Sequence, residues 1–206
     1  MGIIISPLAI FFQILLVRCG EISSLEKFCL PTGFLSPSTP EFLLWSAFVE
    51  EAVKFYAVRS IVLNNPLFDE PVDAMIYMIA AALGFAAIEN TLIVFQTTPD
   101  GIATTINTLI LRFIGATLLH ALSSGLLGYF LAVSWFFRHH RKKLFFIGII
   151  IATLFHFTFN TIIFAFSGEL LALLYTTSLL LGMAFLVSIL FDKLKSRHVS
   201  SPFSGI

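Results

Sequence analysis

Residues 42–63 read FLLWSAFVEEAVKFYAVRSIVL, an apolar stretch interrupted near its middle by Glu50, Glu51 and Lys54. A helix that crosses a bilayer needs about 20 mostly apolar residues, and this stretch is long enough. An ionisable side chain at that depth is costly, so it normally faces the interior of a helix bundle and has a function. The stretch therefore predicts a transmembrane helix whose charged side chains point toward a functional site.

The rest of the chain has the composition of a membrane protein. Of its 206 residues, 58% are hydrophobic and 12% are charged, whereas a soluble domain carries about 25% charged residues. Five further stretches are apolar over similar lengths: residues 2–17, 73–95, 105–137, 144–166 and 169–191. The stretch at 2–17 is the weakest and could also be a signal-peptide core, but it lacks a basic segment before it. We predict an all-α polytopic protein, a single integral-membrane domain of residues 1–206 built as a bundle of about six transmembrane helices.

Charges outside the spans indicate how the helices are oriented. Lys and Arg cluster at 138–143 and 193–197, and Arg59 ends the second span. Because short cytoplasmic loops are enriched in Lys and Arg, we predict that both termini are cytoplasmic. Cys19 and Cys29 then share an outer loop, and whether they form a disulfide stays open. The 12 basic and 12 acidic residues balance to zero, which argues against a nucleic-acid partner.

Ionisable and amide side chains also interrupt spans three, four and five. They are Glu89, Asn90, Arg112, His120, His156 and Asn160. Counted inward along the helices, the polar side chains of four spans reach depths of about 9–15 Å from the outer surface. We therefore predict that the four helices surround a polar cavity in the outer half of the membrane. Its catalytic candidates are Glu50, Glu51, Glu89, His120, His156 and Asn160, supported by Lys54, Asn90 and Arg112.

Spacing along the second span separates the two adjacent carboxylates. Neighbouring side chains diverge by about 100° around a helix, so Glu50 and Glu51 cannot both face the same point. Each lies within reach of Lys54, three or four residues further on. We expect one to face the reaction centre and the other to pair with Lys54, and which of them is the base stays open. On span five, His156 and Asn160 are four residues apart and share a face.

Four motifs on these spans resemble those of a known family. They are Glu50-Glu51-Ala-Val-Lys54, the block DAMIYMIAAALGFAAIEN at 73–90, the block RFIGATLLHALSSGLLG at 112–128, and His156-Phe-Thr-Phe-Asn160. In this order, over roughly residues 42–166, they resemble the PrsW family of intramembrane proteases. They are more distantly similar to the prenyl-protein (CAAX) endopeptidase and bacteriocin-processing family, which has His where this chain has Glu89.

The resemblance implies hydrolysis of peptide bonds in membrane-associated protein substrates, within or beside the lipid bilayer. The best-known role of the PrsW family is the first cut, at site 1, in a membrane-spanning anti-sigma factor, outside the cytoplasm. The resemblance also implies the inner or plasma membrane of a bacterial cell as the location. The motifs do not identify the substrate.

Peptide hydrolysis needs an activated water, a hydrogen-bond donor to the oxyanion and a proton for the leaving amine. No Ser-His-Asp arrangement is apparent in the sequence, so a carboxylate is the natural base, either Glu50 or Glu51. His120 or His156 would orient the water or protonate the amine. Asn160 would donate a hydrogen bond to the oxyanion.

A mechanism that depends on a divalent metal such as zinc is as open as the metal-free one. Zinc binds His nitrogen and carboxylate oxygen and keeps one position for water in catalytic sites. The candidate ligands are Glu50, Glu51, Glu89, His120 and His156. The H-E-x-x-H motif is absent, so the ligand types are present without the local motif.

Two functions without proteolysis are alternatives. Glu, His and Lys inside helices also build ion or proton pathways, so an ion- or proton-coupled transporter is one alternative. A non-catalytic membrane scaffold is the other. Transporters often contain paired half-repeats or broken helices, and no such repeat is evident in this sequence. The preferred prediction is a peptidase that acts on membrane protein or peptide substrates.

Overall fold

The computed structural model describes residues 2–19, 39–61, 68–166 and 169–196, and within these ranges the chain forms helices and turns without strands. The helices are α1 (Gly2–Cys19), α2 (Pro40–Ile61), α3 (Asp73–Thr97), α4 (Ile102–Phe136), α5 (Arg141–Ala165) and α6 (Leu170–Lys195). Short 3-10 turns at Thr98–Asp100 and Arg138–His140 precede α4 and α5. A helix occupies each of the six predicted stretches, so the predicted all-α fold is confirmed.

Helices α3 to α6 are long and apolar enough to cross a membrane, judged over the residues that the structure describes. Helix α2 is of similar length, but Glu50, Glu51 and Lys54 at its centre make it less apolar. Large apolar side chains such as Phe113 and Phe185 are exposed on the outside of the bundle. Exposed apolar surface of this kind marks a membrane-facing surface. The chain is a polytopic helical membrane protein.

Several helices extend beyond their predicted apolar stretches. Helix α4 begins at Ile102 rather than at residue 105, and α5 begins at Arg141 rather than at residue 144. The apolar stretch marks only the part of a helix that lipid surrounds, whereas backbone hydrogen bonding continues into the polar residues at its ends. Gly101, between the first 3-10 turn and α4, has φ of 103°, a conformation that glycine adopts readily.

Helix α4 is the central helix, and it packs against α3, α5 and α6. A Cβ atom added at Gly128 would lie 2.7 Å from the Cα atom of Met75, so glycine is required where α4 meets α3. Apolar side chains including Leu126, Phe155 and Val187 form the core that joins α4 to its neighbours. Helix α2 packs against α1, α3 and α5. Helices α2 to α5 therefore enclose a common interior, which positions the polar side chains.

The predicted outer loop is largely outside the described residues. Cys29 lies in that part of the chain, and the side chain of Cys19 is not described either. Their pairing therefore stays a prediction.

Candidate active site

Five of the ionisable side chains singled out in the sequence are buried together inside the bundle. They are Glu50, Glu51 and Lys54 from α2, His120 from α4 and His156 from α5, with exposed fractions between 0 and 6%. Charged groups taken out of water are stable only when hydrogen bonds and opposite charges surround them. The contacts of each group therefore define what it can do.

Glu51 is the carboxylate that pairs with Lys54. Its Oε1 atom lies 2.8 Å from Lys54 Nζ and 3.1 Å from His156 Nδ1. The hydroxyl groups of Ser123 and Ser124 donate to Oε1 and Oε2 at 2.9 Å and 2.7 Å. Both oxygens of Glu51 thus have hydrogen-bond partners, and these partners lie on α2, α4 and α5.

Glu50 has one occupied and one open oxygen. Its Oε1 atom accepts hydrogen bonds from Gln13 Nε2 at 3.0 Å and from Ser46 Oγ at 3.1 Å. Its Oε2 atom is buried without a hydrogen-bond partner among the described residues. That atom lies 3.8 Å from His120 Nδ1 and 3.6 Å from His156 Nε2. Of the two adjacent glutamates, Glu50 is the one that faces the histidines with an available oxygen.

Each histidine has one ring nitrogen within hydrogen-bond distance of a carboxylate oxygen. His120 Nε2 lies 2.7 Å from Glu89 Oε2, and His156 Nδ1 lies 3.1 Å from Glu51 Oε1. Lys54 Nζ lies 2.8 Å from the second nitrogen of His120, Nδ1. An ammonium group can only donate, so Nδ1 accepts and Nε2 carries the proton that is donated to Glu89. The carboxylates therefore fix the orientation of both rings.

A second group of polar contacts lies between α3 and α4 and is more open. Glu89 Oε1 lies 3.1 Å from the guanidinium of Arg112, and these side chains are 31% and 26% exposed. Arg112 Nε donates to Asn90 Oδ1 at 3.2 Å, and Asn90 Nδ2 donates to Thr117 Oγ1 at 3.0 Å. This chain of contacts continues from the buried site, through the bond between Glu89 and His120, to the edge of the bundle.

Glu50, His120 and His156 have the donor set of a metal centre. One ligating atom from each lies within 4.8 Å of the other two. Metal–ligand bonds of about 2.0–2.1 Å in a tetrahedral zinc site place neighbouring ligand atoms about 3.4 Å apart, close to the spacing around Glu50 Oε2. A metal ion would also supply the partner that Glu50 Oε2 lacks. The residues present therefore fit a zinc site with three protein ligands.

The surroundings of the two histidines strengthen this fit. Metal-binding histidines usually donate their other ring N–H to a carboxylate or carbonyl, and Glu89 and Glu51 are placed to accept those bonds. A metal ion on His120 Nδ1 would take the place of the contact with Lys54. Lys54 would keep its bond to Glu51, so its charge would stay paired.

Asn160 is the predicted site residue that the structure does not bring into this network. It lies on α5 one turn after His156 and is partly buried. Among the described residues, none of the side-chain hydrogen bonds of the cluster reaches it. Its predicted role as an oxyanion donor stays a prediction.

Five polar residues of the site were not predicted from the sequence. They are Gln13, Ser46, Thr117, Ser123 and Ser124. Helical spacing held a signal for some of them, because Ser46 precedes Glu50 by four residues and Ser124 follows His120 by four. Gln13 is an amide within an otherwise apolar stretch, which is also a detectable signal.

Known proteins match the chain over much of its length. A protease PrsW from Geobacillus kaustophilus is 33% identical over 98 residues, which cover 48% of this chain and 40% of that protein. A protease PrsW from Shouchella clausii is 26% identical over 138 residues, covering 67% of this chain and 60% of that protein. The chain thus aligns with about half the length of these curated relatives. No solved structure matches it.

The family comparison covers more of the chain than either relative. The model of a family described as "PrsW family intramembrane metalloprotease" matches residues 1–190. This range includes the whole of the buried cluster and the open contacts at Glu89. The chain belongs to the PrsW family of intramembrane metalloproteases.

Proposed function

We propose that the chain is a metal-dependent intramembrane peptidase that cleaves membrane-spanning protein substrates. The observation that carries the proposal is the buried Oε2 atom of Glu50, which lacks a hydrogen-bond partner and faces ring nitrogens of His120 and His156. One carboxylate and two histidines form the ligand set of many zinc peptidases. A zinc ion bound there would lower the pKa of a water molecule and polarise the substrate carbonyl.

The contacts of each side chain suggest its role in the reaction. Glu50, His120 and His156 would hold the ion. Glu51 is fully buried and has both oxygens occupied, so it would orient His156 rather than accept a proton from water. Glu89 also contacts His120 and Arg112 through its two oxygens, but it is partly exposed, so we assign it the proton from the attacking water and its return to the leaving amine.

Asn160 remains our candidate for the oxyanion. It lies one turn after His156 on the same helix, and among the described residues none of the hydrogen bonds of the cluster reaches it, so none would have to break first. An amide donor aimed at the developing oxyanion stabilises the tetrahedral intermediate.

The orientation of the chain and the identity of its substrate belong to the proposal as well. We place both termini in the cytoplasm of a bacterial cell, because exposed Arg141, Lys142 and Lys143 begin α5 directly after the turn that links it to α4, and short basic loops stay inside. The site then lies in the outer half of the membrane. A first cut in a single-span anti-sigma factor fits this position and the known role of the family.

Cleavage of a single-span peptide in liposomes tests the function. Glu50→Gln keeps the side-chain volume, and His156→Asn replaces the ring by a smaller polar amide. Both variants should abolish cleavage, while a chelator should inhibit the wild type until zinc is restored. Glu169→Gln is the matched control, because Glu169 is exposed before α6. Near wild-type cleavage by both site variants would refute the proposal. Full activity after chelation would refute its metal-dependent part alone.

A further inference from the structure

The orientation of Glu50 depends on a helix that carries none of the predicted site residues. Gln13, on α1, donates from Nε2 to Glu50 Oε1 at 3.0 Å and to Ser46 Oγ at 2.8 Å. Ser46 Oγ donates in turn to Glu50 Oε1 at 3.1 Å. Both N–H groups of the Gln13 amide are thereby used, and two donors converge on one carboxylate oxygen.

This arrangement distinguishes the two oxygens of Glu50. Two hydrogen bonds, one from Gln13 on α1 and one from Ser46 on α2, hold Oε1 in place, so rotation of the carboxylate would break both. Oε2 is left without a donor and lies 3.8 Å from His120 Nδ1 and 3.6 Å from His156 Nε2. The two donors therefore leave Oε2 as the oxygen that faces the histidines.

We propose that Gln13 and Ser46 are positioning residues that present Oε2 of Glu50 to the metal ligands His120 and His156, an inference that rests on the proposed function. They touch neither substrate nor metal and act through Glu50. Residues that hold a metal ligand in place commonly affect metal affinity or activity about 10–100-fold. Helix α1 then supports the metal ligands through Glu50.

The packing of α1 supports this role. Ala9, one turn before Gln13, is buried in an apolar cluster with Val49, Val53 and Phe85 of α2 and α3. At the start of α1, a Cβ atom added to Gly2 would clash with the backbone of Ala81 on α3. These contacts place α1 beside α2 and α3. Gln13 is an amide in an otherwise mostly apolar helix, so it has few alternative hydrogen-bond partners to Glu50 and Ser46.

The test compares zinc affinity, kcat and KM in the purified full-length chain. Gln13→Leu removes the two N–H donors of the Gln13 amide at similar side-chain volume. Gln96→Leu makes the same change at an exposed position near the end of α3. We expect Gln13→Leu to weaken zinc binding about 10–100-fold and to lower kcat while KM stays unchanged. Gln96→Leu should match the wild type in all three quantities.

Ser46 provides a second test that does not depend on Gln13. Ser46→Ala removes one donor to Glu50, whereas Ser46→Thr keeps the hydroxyl group. We expect Ser46→Ala to show a smaller loss of zinc affinity and kcat than Gln13→Leu, and Ser46→Thr to recover both. Ser46→Ala and Ser46→Thr test the proposed positioning role even if Gln13→Leu does not accumulate. Equal values for Ser46→Ala, Ser46→Thr and the wild type would contradict the proposal.

A double variant separates positioning from general support of the fold. If Gln13 acts through Glu50, adding Gln13→Leu to Glu50→Gln should weaken residual zinc binding no further. An equal additional loss in that background would show that Gln13 only supports helix packing, and the proposal would be wrong. Wild-type zinc affinity and kcat in Gln13→Leu would overturn this inference alone. A wild type that neither binds zinc nor cleaves peptide would overturn the proposed function together with it.

Discussion

The site contains two carboxylate–cation pairs that differ in burial. Glu51 and Lys54 are fully buried, and their 2.8 Å contact lies among serine hydroxyls. Glu89 and Arg112 make a similar contact of 3.1 Å, but they are 31% and 26% exposed at the edge between α3 and α4. The first pair is fully enclosed, whereas the second is partly exposed. We therefore assign a structural role to the buried pair, and we assign the proton transfer to Glu89 of the exposed pair.

The largest effect should come from breaking the buried pair. Glu51→Gln would leave the ammonium of Lys54 without its counter-charge, and removing one partner of a buried pair commonly destabilises a protein by about 3–5 kcal/mol. We expect a large fall in thermal unfolding temperature in detergent and loss of cleavage. Glu169→Gln serves as the exposed control. Wild-type thermal stability in Glu51→Gln would contradict the assignment of this pair to the scaffold.

A large effect on activity with little effect on stability should follow from Glu89→Gln. The amide keeps a hydrogen-bond acceptor for His120 but cannot take a proton from water. Loss of one positioned acid–base group commonly lowers the rate about 10²–10⁴-fold. Single-turnover cleavage and thermal unfolding, measured on the same preparation, separate the two quantities. If Glu89→Gln cleaved at the wild-type rate, another group would have to be the base.

The smallest effect should come from the other member of the exposed pair. Arg112→Gln removes one partner of a partly exposed pair, so the loss of stability should lie between the about 0–1 kcal/mol of a surface ion pair and the about 3–5 kcal/mol of a fully buried one. The unfolding temperature should therefore fall less than in Glu51→Gln, and cleavage should fall less than in Glu89→Gln because Glu89 keeps its hydrogen bond with His120. A stability loss as large as that of Glu51→Gln would show that the two pairs do not differ as their burial indicates.

The sequence predicted the helices and most of the buried cluster for one physical reason. Lipid offers no partner to Glu50, Lys54, His120 or His156, so these side chains had to face one another inside the bundle. Spacing also predicted that one adjacent glutamate would pair with Lys54. It did not distinguish Glu51 from Glu50, because both lie within helical reach of that lysine.

Other features depend on how the helices rotate against one another, which spacing within a single helix does not determine. Gln13 meets Glu50 only because α1 packs beside α2, and Ser124 meets Glu51 only because α4 approaches α2. Asn160 shares the face of His156 by spacing, yet the contacts of the cluster do not reach it. These contacts between helices could therefore not be predicted from the spacing of residues along each helix.

Elemental analysis of the active, purified wild-type chain and of His156→Asn tests most directly whether Glu50, His120 and His156 hold the ion that activates water. We predict close to one divalent metal ion per wild-type chain and loss of that ion from His156→Asn at unchanged yield and detergent-extracted size. Fully active wild-type chain without a stoichiometric metal ion would contradict the claim.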